Sequence, residues 1–380
     1  MARLSFAIGV LLLLAACRTL PANVEREISH ALADPGGAWL GQLFQQEAEA
    51  HPDESGFVPV AAGTSAFLLR SAFAGLAERT LDLQYYIWEE DLTGRMLLRD
   101  VLQAAERGVR VRILLDDIPV DGGSELFSKV DAHPLVEVRL FNPFANRGTR
   151  ILEVMSRGVG LNHRMHNKIM VADNALAITG GRNIGDNYFG VDEALNFRDL
   201  DLLAAGPVVQ EFSGMFDAFW NSEWSWPIAS ILREDRTQQE SVALLETLER
   251  WIAEQPALPY EVDENLPAMR ARIDTFRDEF LWGPARAVYD SPDKINGKGE
   301  PRVADVLFKT GNDATHELLI ETAYLIPGES GIVILEELVK RGIRIRVLTN
   351  SLATNDIIAA HSGYAKYRDD VLRAGVEIYE

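Results

Sequence analysis

The sequence predicts an α/β protein made of two lobes of related design, on three observations. First, residues 81–117 and 318–351 both read as an apolar strand, a Gly-containing turn, a helix ending in Arg-Gly, and a second strand. The closest match sets Arg107-Gly108-Val109-Arg110-Val111-Arg112 against Arg341-Gly342-Ile343-Arg344-Ile345-Arg346. Strand–helix–strand order with a glycine closing the helix marks an α/β unit, and its recurrence marks a repeat. Second, apolar residues such as Met96, Leu97, Val101 and Leu102 recur at helical spacing between the strands. Third, a 380-residue chain that is 47% hydrophobic and 25% charged can bury about two domain cores. That composition excludes disordered and collagen-like classes.

The chain opens like an export signal. Arg3 supplies the positive end, Leu4 to Leu14 is an apolar run short for a bilayer span, and the small residues Ala15 and Ala16 follow. Leu14-Ala15-Ala16-Cys17 resembles a bacterial lipobox, which implies that Cys17 is lipidated and becomes the mature N-terminus. Cys17 is the sole cysteine, so no intramolecular disulfide can form and stability must come from the core. The expectation is a body on a lipid anchor in the bacterial envelope, facing the periplasm. Arg18 follows the cysteine, with no acidic residue there to suggest inner-membrane retention, which favours the outer membrane.

The organisation expected is a signal at 1–17, an N-terminal segment at 18–60, a first lobe at 61–229, and a second lobe at 301–380. Between the lobes, 230–300 reads as a helical connector: Leu232 to Glu254 is charged and helical, and Pro256, Pro259 and Pro267 then interrupt the chain. With 37 basic and 57 acidic residues the net charge is −20, which repels a phosphate backbone and disfavours nucleic acid as a partner.

The chemistry sits at Asn162-His163-Arg164-Met165-His166-Asn167-Lys168, running on to Asp173, and at Gly180-Gly181-Arg182-Asn183. Two apolar runs flank Asp173-Asn174, a good hairpin turn pair. His166 and Lys168 stand two residues apart, so on an extended strand both side chains leave one face. An imidazole beside an ammonium suits a phosphodiester: the lysine neutralises non-bridging oxygens and the histidine can attack phosphorus. Gly180-Gly181 would let the backbone approach a phosphate, and the Asn183 amide could donate to it.

His166, Lys168, Asp173, Gly180, Gly181 and Asn183 meet every position of a pattern that resembles the phospholipase D superfamily. Leu83-Gln84-Tyr85-Tyr86-Ile87-Trp88 and Phe197-Arg198-Asp199-Leu200-Asp201 resemble its bacterial cardiolipin synthase C branch, and the likeness runs from about residue 60 onward. It implies a mixed sheet flanked by helices and a phosphatidyltransferase acting on glycerophospholipids such as phosphatidylglycerol. His166 would form a phosphohistidine, Lys168 would hold the oxygens, and Asp173 would fix local charge and geometry. A second histidine, from a second motif, would protonate the leaving alcohol; the scheme requires no metal or other cofactor. The alternatives are a phosphodiesterase of the same fold hydrolysing lipid or nucleic acid, and a catalytically dead envelope lipoprotein.

Other candidates carry less. His163 lies outside the pattern and reads as a loop or supporting residue, and Asp116-Asp117 as an exposed loop pair. Gly328-Glu329-Ser330-Gly331 places its second glycine one residue early for a nucleophile turn. Trp220, Trp224 and Trp226 read as core or connector packing, and at least one of Tyr85 and Tyr86 as core. Val136-Glu137-Val138 corresponds to Val376-Glu377-Ile378, and by that spacing a second motif is expected near residue ~405. No second His-x-Lys occurs in the sequence, and His361, followed by Ser362-Gly363, does not supply one. Glu380 falls inside an apparent strand, so the expectation is a second lobe left incomplete in a fragment. Completion by another chain, or a one-motif homodimer, are the alternatives; in the homodimer the partial lobe would block the docking surface.

Overall fold

Antiparallel and parallel strands share one sheet, and their order explains where the motif lies. The computed structural model describes residues 20–21, 24–117, 123–145, 163–192, 194–232, 236–255, 265–299, 302–355 and 358–380. Cys17 and the leader lie outside them, as does Asn162.

The described residues divide into two compact units, one of residues 1–287 and 291–299 and one of 288–290 and 300–380. In the first unit, β1 (Ser55–Val60) is followed by α1 (Gly63–Leu76), β2 (Thr80–Tyr85), α2 (Leu92–Glu106), β3 (Arg110–Asp116), α3 (Gly123–Asp131) and β4 (Val136–Phe141). Next come β5 (Ile169–Ala172), β6 (Leu176–Gly180), β7 (Asp201–Ala205), α4 (Pro207–Trp220) and β8 (Ser225–Pro227). The helices α5 (Gln238–Ala253) and α6 (Leu266–Arg277) and the strand β9 (Leu281–Gly283) complete it. The sheet runs β8-β4-β3-β2-β5-β6-β7-β1-β9. Strands β2, β3 and β4 are parallel, and every other pairing is antiparallel.

The parallel half follows from its connections. Asp91 caps α2 by accepting from the Gly94 N–H at 3.0 Å. The helix buries Met96, Leu97, Val101 and Leu102 against the sheet core. Gly108 then takes φ +101°, with Gly108 N donating to Ala105 O and Val109 N to Ala104 O, which closes the helix and feeds β3.

Residues 230–287 and 291–299 of the connector stretch fall within the first unit. Leu244, Leu248 and Ile252 lie four residues apart on α5 and are buried in the same core as α2, as are Met269 and Ile273 of α6. Strand β9 extends the sheet along the edge of β1. The N-terminal segment is likewise part of this unit, since β1 pairs with β7. Upstream of β1, residues 27–34 form neither helix nor strand and make a strap held by long side chains. Arg112 donates to Ser29 O at 3.0 Å, Arg110 to His30 O at 2.7 Å, and Asn174 to Leu32 O at 2.7 Å. The Ala31 N–H donates to Asp217 at 2.9 Å.

Arg112 is buried between Asp82, which it meets through two 2.7 Å bonds, and Asp217 at 2.8 Å, with its guanidinium over the Phe216 and Trp220 rings. Its single charge is hydrogen-bonded to Asp82 and ion-paired with Asp217, and such geometry is the condition for keeping an ion pair in a core.

The second unit repeats the plan with three parallel strands. Helix α7 (Arg302–Asn312) precedes β10 (Glu317–Glu321), α8 (Gly328–Lys340), β11 (Arg344–Leu348), α9 (Ile358–Arg373) and β12 (Glu377–Tyr379). Gly342 at φ +85° ends α8 as Gly108 ends α2, with Ile343 N donating to Leu338 O. Gly328 to Gly331 begin α8. Arg346 bonds Glu317 and Arg344 bonds Glu377 across the strands, here in the open. Among the described residues no helix is long and apolar enough to cross a membrane.

Candidate active site

Register puts the motif at the carboxyl end of the parallel strands. Strand β5 runs antiparallel to β2 with Ile169 opposite Gln84 and Ala172 opposite Leu81. His166 and Lys168, just before Ile169, therefore fall beside the end of β2, where α/β sheets present their ligand sites. Asp173 falls at the other end, about 15 Å along the strand.

The approach to the motif is pinned by Asp116, at the end of β3. Its carboxylate accepts from the Met165 N–H at 2.8 Å and from Arg164 at 2.9 Å. Arg164 also donates to Asn142 O at 2.7 Å, and Asn142 donates to His163 O at 3.0 Å. Asp117 accepts from the Phe144 N–H at 2.7 Å. Asp116 and Asp117 are thus a buried pair, 2% and 5% exposed, rather than the exposed loop pair expected. The correction has a physical cause: both hold chain that crosses the strand end, and those backbone N–H groups need acceptors.

His166 is solvent-exposed on its outer side. Its imidazole stands against Tyr86, ring centroids 4.7 Å apart at 60°. The buried Lys168 ammonium lies 5.1 Å from the centroid of the same Tyr86 ring and donates to His166 O at 2.8 Å. Partial burial, and then the adjacent Lys168 charge, push the His166 imidazole down to about 4. Burial lowers Lys168 to about 8 against the opposing pull of Asp199 and Asp116. At neutral pH the pair is a neutral imidazole beside a cation, the form in which a nitrogen can attack a phosphate and the charge can hold its oxygens.

Asp173 plays a different part. Its buried carboxylate accepts from Glu78 N at 2.9 Å, Arg79 N at 2.8 Å and Thr80 N at 2.9 Å, while its own N–H donates to Thr80 O at 2.9 Å. Asp173 and Asn174 both take φ +52°, the left-handed turn of the β5–β6 hairpin. Asp173 locks that turn to the start of β2 and so sets the register carrying His166. It is a positioning residue, with its carboxylate engaged well away from the imidazole.

The glycines serve a close approach of the protein to itself. A Cβ at Gly180 would lie 2.5 Å from Leu200 O and 2.7 Å from Asp201 Cα, and one at Gly181 would overlap the Asp199 carboxylate. On the side a Cβ would take, both glycines face β7 and the Asp199–Leu200 segment before it. The half-buried Asp199 carboxylate is raised by burial and lies in the field of Lys168. Asn183 is buried, accepts from the Ile87 N–H at 3.1 Å and donates to the Tyr188 hydroxyl at 2.8 Å. It fixes the segment just beyond Tyr86, with one amide hydrogen already engaged.

The structure thus gathers His166, Lys168, Tyr86 and Asp199 and sets Asp173 apart. Tyr86, Asp116, Arg164 and Asp199 were not singled out for the site from sequence. Asp199 had a signal: Asp199 and Asp201 alternate at the head of a strand, behind two glycines. Tyr85 is the core residue of its pair, fully buried with its hydroxyl accepting from Arg70 at 3.0 Å. Trp220 is buried too. Among the described residues no group of three or more His, Cys, Asp or Glu side chains is disposed to hold a metal ion.

Comparison with known proteins adds a separate line. A family described as cardiolipin synthase, PLD-like domain matches residues 73–220 and 307–380. Cardiolipin synthase C of Escherichia coli is 37% identical over 344 residues, covering 87% of this chain and 70% of that protein. An uncharacterized protein of Helicobacter pylori is 31% identical over 349 residues, covering 91% and 69%. A solved phosphatidylserine synthase of Haemophilus influenzae superposes with a TM-score of 0.53 at 10% identity, over 88% of this chain and 76% of that one, a likeness of fold.

Proposed function

Because the chain belongs to the cardiolipin synthase, phospholipase D-like family, we propose that it is a phosphatidyltransferase working through a phosphohistidine. The observation that carries this reading is the exposed, neutral His166 imidazole beside the buried Lys168 ammonium. An imidazole nitrogen attacks phosphorus and the bond from phosphorus to the leaving alcohol breaks. Lys168 holds the non-bridging oxygens as charge builds, while a general acid delivers a proton to the leaving oxygen. An acceptor hydroxyl then displaces the histidine. With phosphatidylglycerol as donor and acceptor the products are cardiolipin and glycerol; with water the outcome is hydrolysis. The family pattern assigns the general acid to a second His-x-Lys, and His166-x-Lys168 is the one such pair in these 380 residues. The full reaction is therefore a proposal for the site once that second group is supplied.

Glycerophospholipids are the proposed partners, and the acidic net charge of −20 argues against nucleic acid. Cys17, by its lipobox-like context, is the proposed lipid anchor, holding the protein at the bacterial envelope with its body toward the periplasm.

The test is lipid and DNA substrates assayed side by side with the full-length protein and its His166→Ala variant. Expected are lipid transfer and an acid-labile phosphoenzyme, both lost in the variant. Unchanged lipid product from His166→Ala would overturn the assignment, and cleavage of DNA alone would move the protein to the phosphodiesterases.

A further inference from the structure

The His166 imidazole makes no hydrogen bond among the described residues, and its ring contact is with Tyr86. A nucleophile with neither nitrogen tethered must be oriented by packing if it is to meet phosphorus in line. Tyr86 follows directly on β2, and alternation turns it away from the core that Tyr85 fills. Its side chain is half-buried, and its hydroxyl makes no hydrogen bond among the described residues. The ring carries the contacts: the imidazole stands against it at 4.7 Å, and the Lys168 ammonium lies 5.1 Å from its centroid. Asn183 fixes the backbone at Ile87, directly after Tyr86.

We propose that Tyr86 is the positioning residue of this half-site: its aromatic ring sets the orientation of His166 and holds the Lys168 ammonium beside it. The proposal rests on the phosphohistidine reading and deepens it. A π-face attracts a cation without competing for its hydrogen bonds, so Lys168 is steadied while N–H groups remain for phosphate oxygens. The same ring shields one side of the imidazole from water, and the surrounding charges are Lys168, Asp116, Arg164 and Asp199. The ring is needed and the hydroxyl is not.

Tyr86→Phe and Tyr86→Leu in the full-length protein separate the two parts of the residue, read by lipid turnover and by NMR titration of the His166 imidazole. Tyr86→Phe should stay within about 3-fold of the parent in kcat, with the His166 midpoint unmoved. Tyr86→Leu should lower kcat about 10-fold or more with KM for lipid within about 3-fold, since orientation is lost rather than binding. Its His166 midpoint should move up from about 4 as water reaches the ring. Should Tyr86→Leu not fold, Tyr86→Met, of similar reach and without a π-face, replaces it. An unmoved His166 midpoint and kcat in the leucine variant would overturn the proposal, as would a phenylalanine variant as impaired as leucine. The titration needs no turnover, so failure here is distinguishable from failure of the phosphatidyltransferase reading, which His166→Ala tests.

Discussion

The Lys168 ammonium donates to the carbonyl oxygen of His166 at 2.8 Å, so the motif's cation is folded back on the motif's own backbone. One proton of three is used and two remain to face a phosphate. The nucleophile and its cation therefore keep a fixed relation before any substrate arrives.

That relation sets a pH window. His166 is neutral above about 4 and Lys168 is charged below about 8, both folded values lying under their ordinary ones. Phosphoenzyme formation by this half-site should rise through the lower value, hold level at neutral pH, and fall through the upper one. Rapid-quench trapping across pH checks this. Lys168→Ala should raise the His166 midpoint, because a neighbouring like charge is gone.

Asp173→Asn should destabilise the first unit by about 2–3 kcal/mol, because a carboxylate accepting three backbone N–H bonds gives way to an amide. Denaturant unfolding reads the loss. The His166 titration in the folded fraction should stay in place, since Asp173 acts through the β5–β6 register. A shifted imidazole with unchanged stability would instead put Asp173 in the chemistry.

The two glycines should fail differently. Gly180→Ala drives its Cβ into the backbone of Leu200 and Asp201, and Asp201 is held 2.9 Å from Arg70 in the core. A loss of roughly 3 kcal/mol or more is expected. Gly181→Ala meets a side chain end, Asp199, which can swing aside. About 1 kcal/mol is expected there, together with a further fall of the Lys168 midpoint as its acidic neighbour withdraws. Adding Asp199→Ala should relieve the strain of Gly181→Ala, and thermal unfolding of the double variant shows whether it does.

Much of this was legible in the sequence, and what was missed shares one cause. His166 and Lys168 stood out because the residues that cooperate are two apart along one strand. The repeat was legible because Arg107-Gly108 and Arg341-Gly342 each close a helix by the same local bonds. Asp116 was misread because its partners, Arg164 and Met165, lie 48 and 49 residues away and meet it only through sheet register. Leu232 to Glu254 read as a charged helix, and the sequence did not show the surface that α5 covers. Gly180-Gly181 signalled a close approach, and the β6–β7 pairing, which sequence does not show, sets Asp201 opposite Gly180.

Arg112→Met should cost the first unit about 3–5 kcal/mol, because it strands a buried Asp82. Arg112→Met combined with Asp82→Leu should recover part of that loss, since the buried Asp82 charge goes with its partner, while Asp217 still loses its ion pair. Limited proteolysis offers a second reading: the single variant should expose the strap near Ser29, whose carbonyl Arg112 holds.

The strap also bears on the order in which the molecule is assembled. Ser29 meets Asn221 across 192 residues, and Ala31 meets Asp217 across 186. A chain that emerges amino end first therefore has its earliest residues waiting on α4, more than halfway along, before they can dock. Until then the segment around Ser29 and Ala31 lacks these partners and stays open to whatever handles a nascent chain. Docking it closes a loop of nearly two hundred residues, a cost that grows only slowly with length and falls on strands that lie between its ends.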